Sequence, residues 1–389
     1  MFIRKIRSQT CVVFSFVNCV VSIFLLCIST ICSQAEEKQI DMTSYVLTEP
    51  RILFSIKYGG QPSEVGLFVP GPEEGLPECI SDFAVGVDGS IYIADAVNMK
   101  VKKFSRQGKL LMCTEDALNG IEAIGVNKKG WIFVVYFGDS SRSNQIAVYD
   151  EKGRRVSSAE ETIKKLFGDV IVPKEAGGFK GIPGLTQVWC DAADNIHLRG
   201  GNFVYRVSAE LTNITPFKNS FPYINGRYFY RLLETKEQGE SRIYRIDGSV
   251  YSLLMPILHP IEIVIYEDDG SVFKKFLLSR GEFGDIEKMV PICSDIFFID
   301  GKGNFYNIRS PLVRHLVPLR KGSTLFTGYF DALLEYDKEG KYVGVRAIIK
   351  SFYMKIRNQI KVDPQGNIYY LDFKEDHVDV MMAPAPKKK

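Results

Sequence analysis

One short pattern recurs six times along this chain, and it limits the possible folds more than any other feature. Its first half reads apolar residue, tight turn, spacer, apolar, aromatic. It runs Val87-Asp88-Gly89-Ser90-Ile91-Tyr92, then Lys129-Gly130-Trp131-Ile132-Phe133, Asp194-Asn195-Ile196-His197, Asp247-Gly248-Ser249-Val250-Tyr251, Gly303-Asn304-Phe305-Tyr306 and Gly366-Asn367-Ile368-Tyr369. The second half reads aliphatic residue, two spacers, aromatic, then a polar turn that closes on glycine. Val101 to Phe104 with Gly108, Ile146 to Tyr149 with Gly153, Ile263 to Tyr266 with Gly270, and Leu333 to Tyr336 with Gly340 follow it. Val204 to Val207 and Val378 to Val380 are weaker copies.

Each half has the chemistry of an antiparallel hairpin. Alternating residues feed the two faces of a strand, and the Asp-Gly, Lys-Gly and Glu-Gly tips supply the positive φ of short turns. Two halves give four strands, a to d in chain order. A single sheet of this kind cannot bury both apolar faces, whereas six sheets set radially bury each against its neighbours. The expected fold is therefore all-β: a six-bladed β-propeller of four-stranded antiparallel blades. An open ring would expose two sheet edges. The segment Ile52 to Tyr58 precedes the first repeat without a hairpin partner of its own, and it is expected to complete the last blade beside residues 361 to 382.

The run Ile91-Tyr92-Ile93-Ala94-Asp95, followed by Asn98, Val101 and Phe104, resembles the NHL-repeat family of propellers, and Tyr370-Leu371-Asp372 echoes it. Other copies depart from that pattern, with Tyr136, Gly200, Leu254 and Arg309 where the family ends a strand on Asp. The resemblance extends as architecture over residues 50 to 385 and implies a fold more than an activity.

The N-terminus has the layout of an export signal: Arg4, Lys5 and Arg7, an uncharged run from Thr10 to Ile31, then Ser33-Gln34-Ala35. The apolar run is long for a cleaved signal, so an uncleaved anchor is the alternative. Either places the body outside the cytoplasm, as a periplasmic, extracellular or outward-facing anchored protein. The expected division is 1–35 signal or anchor, 36–49 linker, 50–385 propeller and 386–389 basic tail. Without residues 1–35 the chain carries 46 basic and 46 acidic side chains. No basic excess remains to neutralise phosphates, which argues against nucleic acid as a partner. Of the four later cysteines, Cys79, Cys113, Cys190 and Cys293, the first two flank one repeat and make the best disulfide pair. Buried thiols are the alternative. Asn213-Ile214-Thr215 fits a glycosylation sequon, which matters only in a eukaryotic secretory host.

The a–b and c–d turns are short, so one face of the ring is a surface of tight turns. The b–c and d–a connections carry the long insertions 59–78, 137–145, 157–184, 215–240, 281–292 and 309–330 on the other face, where binding sites concentrate. Ser158-x-x-Glu161 ahead of Ile163, Leu166 and Phe167 predicts a short helix in the third of these. Aligning the repeats places Ser81, Glu122, Thr186, Glu240, Asp295 and Asn358 at the entrance of the innermost strands. Glu122, Glu240 and Asp295 among them are candidate ligands for a hard cation such as Ca²⁺. Similar propellers of the gluconolactonase type hold a metal there, and the amidating-lyase relatives of the NHL family hold zinc through histidines. The bland alternative is that strand entrances are polar because they meet water.

His197 occupies an aromatic core position and is expected to be packed. His259, Arg309, Arg314, His315 and Tyr329 fall in or near long connections and are candidates for a recognition face. No nucleophile elbow, Walker or dinucleotide motif is present. Two functions follow. The first is a binding module for a protein, peptide or glycan. The second is a metal-dependent hydrolase or lyase, gluconolactonase-like or amidating-lyase-like, with its site at the channel mouth.

Overall fold

The computed structural model describes residues 47–69, 78–137, 144–168, 184–191, 193–200, 203–218, 221–222, 229–233, 241–246, 249–254, 262–266, 272–277, 292–299, 304–310, 314–317, 326–339, 341–351 and 359–386. They are mostly β and form four-stranded antiparallel sheets, in keeping with a propeller. The strand β1 (Arg51–Lys57) precedes a first sheet of β2 (Ile80–Val85), β3 (Ile91–Asp95), β4 (Lys100–Phe104) and β5 (Leu110–Cys113). A second sheet has three strands, β6 (Ile121–Val126), β7 (Ile132–Phe137) and β8 (Asn144–Tyr149), and is followed by the helix α1 (Ser157–Gly168). A third holds β9 (Leu185–Cys190), β10 (Ile196–Gly200), β11 (Phe203–Val207) and β12 (Ile214–Lys218).

The fourth sheet departs from the expected register. It joins β13 (Phe221–Pro222) and β14 (Phe229–Leu233) to β17 (Glu262–Tyr266) and β18 (Val272–Leu277). Between them, among the described residues, β15 (Ser241–Ile246) and β16 (Ser249–Leu254) pair only with each other, as a separate hairpin. The Asp247-Gly248-Ser249 motif therefore belongs to an insertion, and strand b of this sheet is Phe229–Leu233. A tight turn between apolar runs specifies a hairpin without saying which sheet the hairpin joins.

The fifth sheet holds β19 (Ile292–Ile299), β20 (Phe305–Ser310), β21 (Arg314–Val317), β22 (Phe326–Tyr336) and β23 (Tyr342–Ser351). The last sheet orders β24 (Ile360–Val362), β25 (Ile368–Phe373) and β26 (His377–Ala383) with β1 as its fourth strand. The ladder between β1 and β26 runs from Arg51 opposite Met382 to Lys57 opposite His377.

Adjacent sheets bury their faces against each other. Phe54, Ile56, Leu371 and Val380 of the last sheet share a core with Phe83, Ile93 and Phe104 of the first. Tyr92 and Val101 meet Ile124, Val134 and Tyr149 of the second, and Phe133 and Val148 meet Val188 and Tyr205 of the third. Tyr306, Leu333 and Ile349 of the fifth close on Ile360, Ile368 and Tyr370 of the last. Gly108 is required where the first two of these meet: its φ is +81°, and a Cβ there would lie 2.7 Å from Phe54 Cβ.

One turn design recurs. Asp191, Asp363, Asp150 and Asp337 each accept the amides two and four residues on through a single Oδ1. This is the Asx arrangement that lets a side chain replace a missing backbone partner. Two of these carboxylates also reach the strand. Asp191 Oδ2 lies 2.8 Å from His197 Nε2, and Tyr369 donates to Asp363 Oδ2 at 3.3 Å. His197 is fully buried and stacks on Trp189 at 5.5 Å. Its role is to hold a turn.

The expected helix forms, packing Ala159, Ile163 and Phe167 between the second and third sheets. It occupies the chain position of a fourth strand. The carboxylate at work is Glu160, not Glu161: its Oε1 accepts the Val148 amide on the edge of β8 away from β7 and a bond from Arg155 Nε at 2.8 Å. This contact satisfies one amide of an edge strand. Cys79, Cys113 and Cys190 are free thiols, so the expected Cys79–Cys113 bridge does not form. Burial pushes the Cys79 and Cys190 thiols far above the usual range. No helix among the described residues is long and apolar enough to cross a membrane, and the leader lies outside them.

Candidate functional site

The described a–b and c–d turns are tight. The extended connections leave from the opposite ends of the strands, and the first, residues 58 to 68, is built by the family-like motif. Asp95, fully buried at the end of β3, accepts the Gly66 amide at 3.0 Å and the Asn98 amide at 3.1 Å through Oδ1. Its Oδ2 takes bonds from Asn98 Nδ2 at 2.8 Å and Lys102 Nζ at 2.7 Å. Asn98 also donates to the Gly59 carbonyl, and Lys102 to that of Glu64. Burying an ammonium and a carboxylate is tolerable only when both are fully bonded, and here the bonding partners are the connection itself. The loop is consequently fixed to the sheet at both ends of its turn.

Met99, next in sequence, has a φ of +56°. A left-handed residue other than glycine costs roughly 1–2 kcal/mol. Its carbonyl accepts the Leu118 amide at 2.9 Å, which ties this turn to the connection entering the second sheet.

Two insertions fold into strands. The β15–β16 hairpin rises from the b–c connection of the fourth sheet. In the fifth, β22 continues past its pairing with β20 to pair with β21, placing Arg314 opposite Tyr329 and His315 opposite Gly328. Residues Arg314, His315 and Tyr329 are therefore in strands of a protruding arm, not in loops as the sequence suggested. Lys321-Gly322-Ser323 is a turn signal of the kind seen at Lys129-Gly130, but it falls out of phase with the repeat, so the strands beside it read as part of a long connection. Arg309 lies in β20 opposite Cys293 and Ala332, at the base of the arm. The strands β16 and β21 approach one another, which brings the two insertions side by side. His259 lies outside the described residues.

The polar residues expected at the strand entrances share an unexpected local geometry. Ser81, Glu122 and Thr186 each occupy the extra position of a β-bulge in the first strand of their sheets, where the register skips from 80 to 82, 121 to 123 and 185 to 187. Asp295 falls within a wider irregularity of β19 between Cys293 and Phe297. A bulge turns a side chain out of the ladder and increases the local twist. Glu240 and Asn358 lie outside the described residues, and with β15 paired only to β16 the segment after Glu240 is the inserted hairpin, not an innermost strand. Among the described residues no cluster of three His, Cys, Asp or Glu side chains could hold a metal ion. Of the residues expected to hold Ca²⁺, Glu122 sits on the bulge of β6 and Asp295 within β19, and Glu240 lies outside the described residues.

Two buried charged groups that pattern reading missed join neighbouring sheets. Asp82, directly after the first bulge, is 2% exposed and accepts the Phe83 amide at 2.8 Å and, from the next sheet, the Ile124 amide at 2.9 Å. On its other side it pairs with Lys361 Nζ of the last sheet at 2.8 Å. Burial pushes this carboxyl above the usual range, although Lys361 and both amides pull the other way. Arg346, fully buried on β23, pairs with Glu335 Oε2 at 2.6 Å and donates to the Gly366 and Pro384 carbonyls at 3.0 Å. Its guanidinium also lies over the Tyr306 ring at 5.7 Å. In a one-dimensional pattern these residues look like strand spacers that should face solvent.

No family model matches the chain, and no curated protein does. Among solved structures, a gluconolactonase of Xanthomonas campestris is 12% identical, covering 86% of this chain and 98% of that one, with a TM-score of 0.39. Hydrazine synthase of Kuenenia stuttgartiensis is 9% identical over 78% of this chain and 80% of that one, with a TM-score of 0.39. The Dos1 propeller is 10% identical over 80% of each chain, with a TM-score of 0.36. Likenesses this distant assign this chain neither a family nor an activity.

Proposed function

We propose that this chain is an exported, NHL-like, six-bladed β-propeller, closed by its N-terminal strand, that binds a protein, peptide or glycan through the face bearing the long connections. The observation that carries this reading is the pair of adjoining insertions: the β15–β16 hairpin and the β21–β22 arm both leave b–c connections, and β16 approaches β21. Strand-built projections on a rigid scaffold present a fixed surface, which lowers the ordering cost of binding. Pairing of β1 with β26 supports closure, since it joins the two ends of the sequence in one sheet.

The test uses residues 36–389 against a printed glycan array and a displayed random dodecapeptide library. A binder whose affinity falls at least tenfold in the Arg314→Glu/Tyr329→Ala double variant, with melting unchanged, supports the reading. No binder on either array, or binding indifferent to both substitutions and to deletion of 241–254, refutes it.

The bulges favour a second reading, a metal-dependent hydrolase or lyase, because Ser81, Glu122 and Thr186 recur at one structural position of successive inner strands. Glu122 and Asp295 would be the ligands. A rise in melting temperature with Ca²⁺ that EDTA reverses, and that Glu122→Gln and Asp295→Asn abolish, would replace the binding reading with this one.

A further inference from the structure

Three large apolar side chains on the long-connection face are left open to water: Phe68 at 53% exposure, Phe137 at 42% and Met99 at 39%. They belong to segments in direct contact. Gly66 lies so close to the Met99 turn that a Cβ on it would be 2.5 Å from Val97 Cβ. The Met99 carbonyl holds Leu118, and two residues on, the Gly120 carbonyl accepts the Phe137 amide at 3.1 Å. The three side chains thus mark one path across the first and second sheets. The backbone at Met99 is held left-handed, φ +56°, by the turn that Asp95 and Asn98 cap. The turn serves the fold by holding Leu118, while the side chain it carries faces water, and an exposed apolar side chain on a fixed backbone suits a binding surface.

The charge around this path is predominantly acidic. Residues 58–69, 78, 96–100, 114–122 and 137 contain Glu64, Glu78, Glu115, Asp116 and Glu122, against a single basic residue, Lys100. Lys100 donates to the Glu115 carbonyl and keeps its charge, so the excess is acidic but not complete. Asp116 meets Arg155 at 3.4 Å, Glu64 accepts the Gln61 amide, and Glu78 and Glu115 are exposed. With equal numbers of acidic and basic groups over residues 36–389, this local excess is a property of the face.

We infer that the Phe68–Met99–Phe137 path docks a peptide segment of another protein that carries aromatic or aliphatic side chains flanked by Lys or Arg. The apolar path supplies contact area and the acidic border selects the partner and speeds its arrival. This rests on the reading of the face as a binding surface and narrows the partner to one class.

The experiment selects dodecapeptides from a random displayed library on residues 36–389. The enriched peptides are resynthesised and titrated by calorimetry against wild type, Phe68→Ser, Phe137→Ser and Met99→Gly. The expected peptides combine apolar anchors with Lys or Arg, and each substitution weakens them at least tenfold. Affinity also falls as salt rises from 50 to 500 mM. Met99→Gly is the informative variant, because glycine relieves the backbone and must keep or raise the melting temperature while losing the peptide. Acidic or uncharged peptides, or affinities unchanged in all three variants, overturn the inference. Peptides that depend on Arg314 and Tyr329 but not on this path overturn it and leave the proposed function standing, whereas the absence of any bound peptide or glycan overturns both. Concentration-dependent self-association that Phe68→Ser abolishes would make a second copy of the chain the occupant, which also overturns it.

Discussion

Replacing Arg346 with methionine tests how the fifth and last sheets are joined. The arginine is fully buried, and its guanidinium serves Glu335 on its own sheet and the carbonyls of Gly366 and Pro384 on the next. Methionine fills a similar volume but leaves the Glu335 carboxylate, 5% exposed, with no counter-charge and two carbonyls with one fewer donor. Removing one member of a buried ion pair costs about 3–5 kcal/mol. At the low end of the size scaling, about 2 °C per kcal/mol for a large domain, melting should fall by roughly 6–10 °C. The double variant Arg346→Met/Glu335→Leu removes both charges, so it should recover at least half of that loss, because two apolar groups need no partners. Among the described residues the arginine Nε is buried without a partner, which adds to the cost of the native arrangement and strengthens this expectation. Thermal melting by circular dichroism of the four members of the cycle reads both effects. A single variant that melts within 2 °C of wild type, or a double variant no better than the single, refutes the reasoning.

Two further outcomes follow. The Asp191 carboxyl is held below the usual range: burial alone would raise it, and the bonds from His197, Asn195 and the turn amides outweigh that effect. Its contribution is therefore complete above the carboxylate range near pH 4 and disappears as pH falls through the lowered folded value. Asp191→Asn should lose about 2 kcal/mol at pH 7, and the gap from wild type should close as pH falls below the carboxylate range in denaturant titrations. A gap that stays constant with pH would rule out the charge as its source. Deleting residues 50–58 removes Phe54 and Ile56 from the core between the last and first sheets and strips the β26 edge of its partner. The truncated chain should fail to fold, and unchanged melting would show that β1 is dispensable.

Most of the strands were legible because each rests on local chemistry. The Asp191 and Asp363 turns, the Tyr92 and Tyr369 strands and the helix over residues 157 to 168 all obey rules that act within a few residues. Asp247-Gly248-Ser249 misled for the same reason. It makes a hairpin, but nothing local says that the hairpin stands apart from its neighbours. Arg314 and Tyr329 read as loop because their pairing spans a long excursion. The buried charges were invisible in principle. Lys102, Asp82 and Arg346 occupy spacer positions, and only the approach of another sheet or connection converts them from solvent-facing residues into cross-links. The candidate site was legible as a face and not as a set of residues. Loop length identifies the side on which insertions gather, whereas Met99 shows its importance only through a backbone angle.

The position of β1 governs how the body can be attached to anything upstream. It is the outermost strand of the last sheet, and just before it the Leu47 amide donates to the Val345 carbonyl on the outermost strand of the fifth. The polypeptide thus enters along the periphery, remote from the inner strands β24, β2 and β6. A tether or fused protein joined there would pull on the rim and leave the insertion-bearing surface open to solvent.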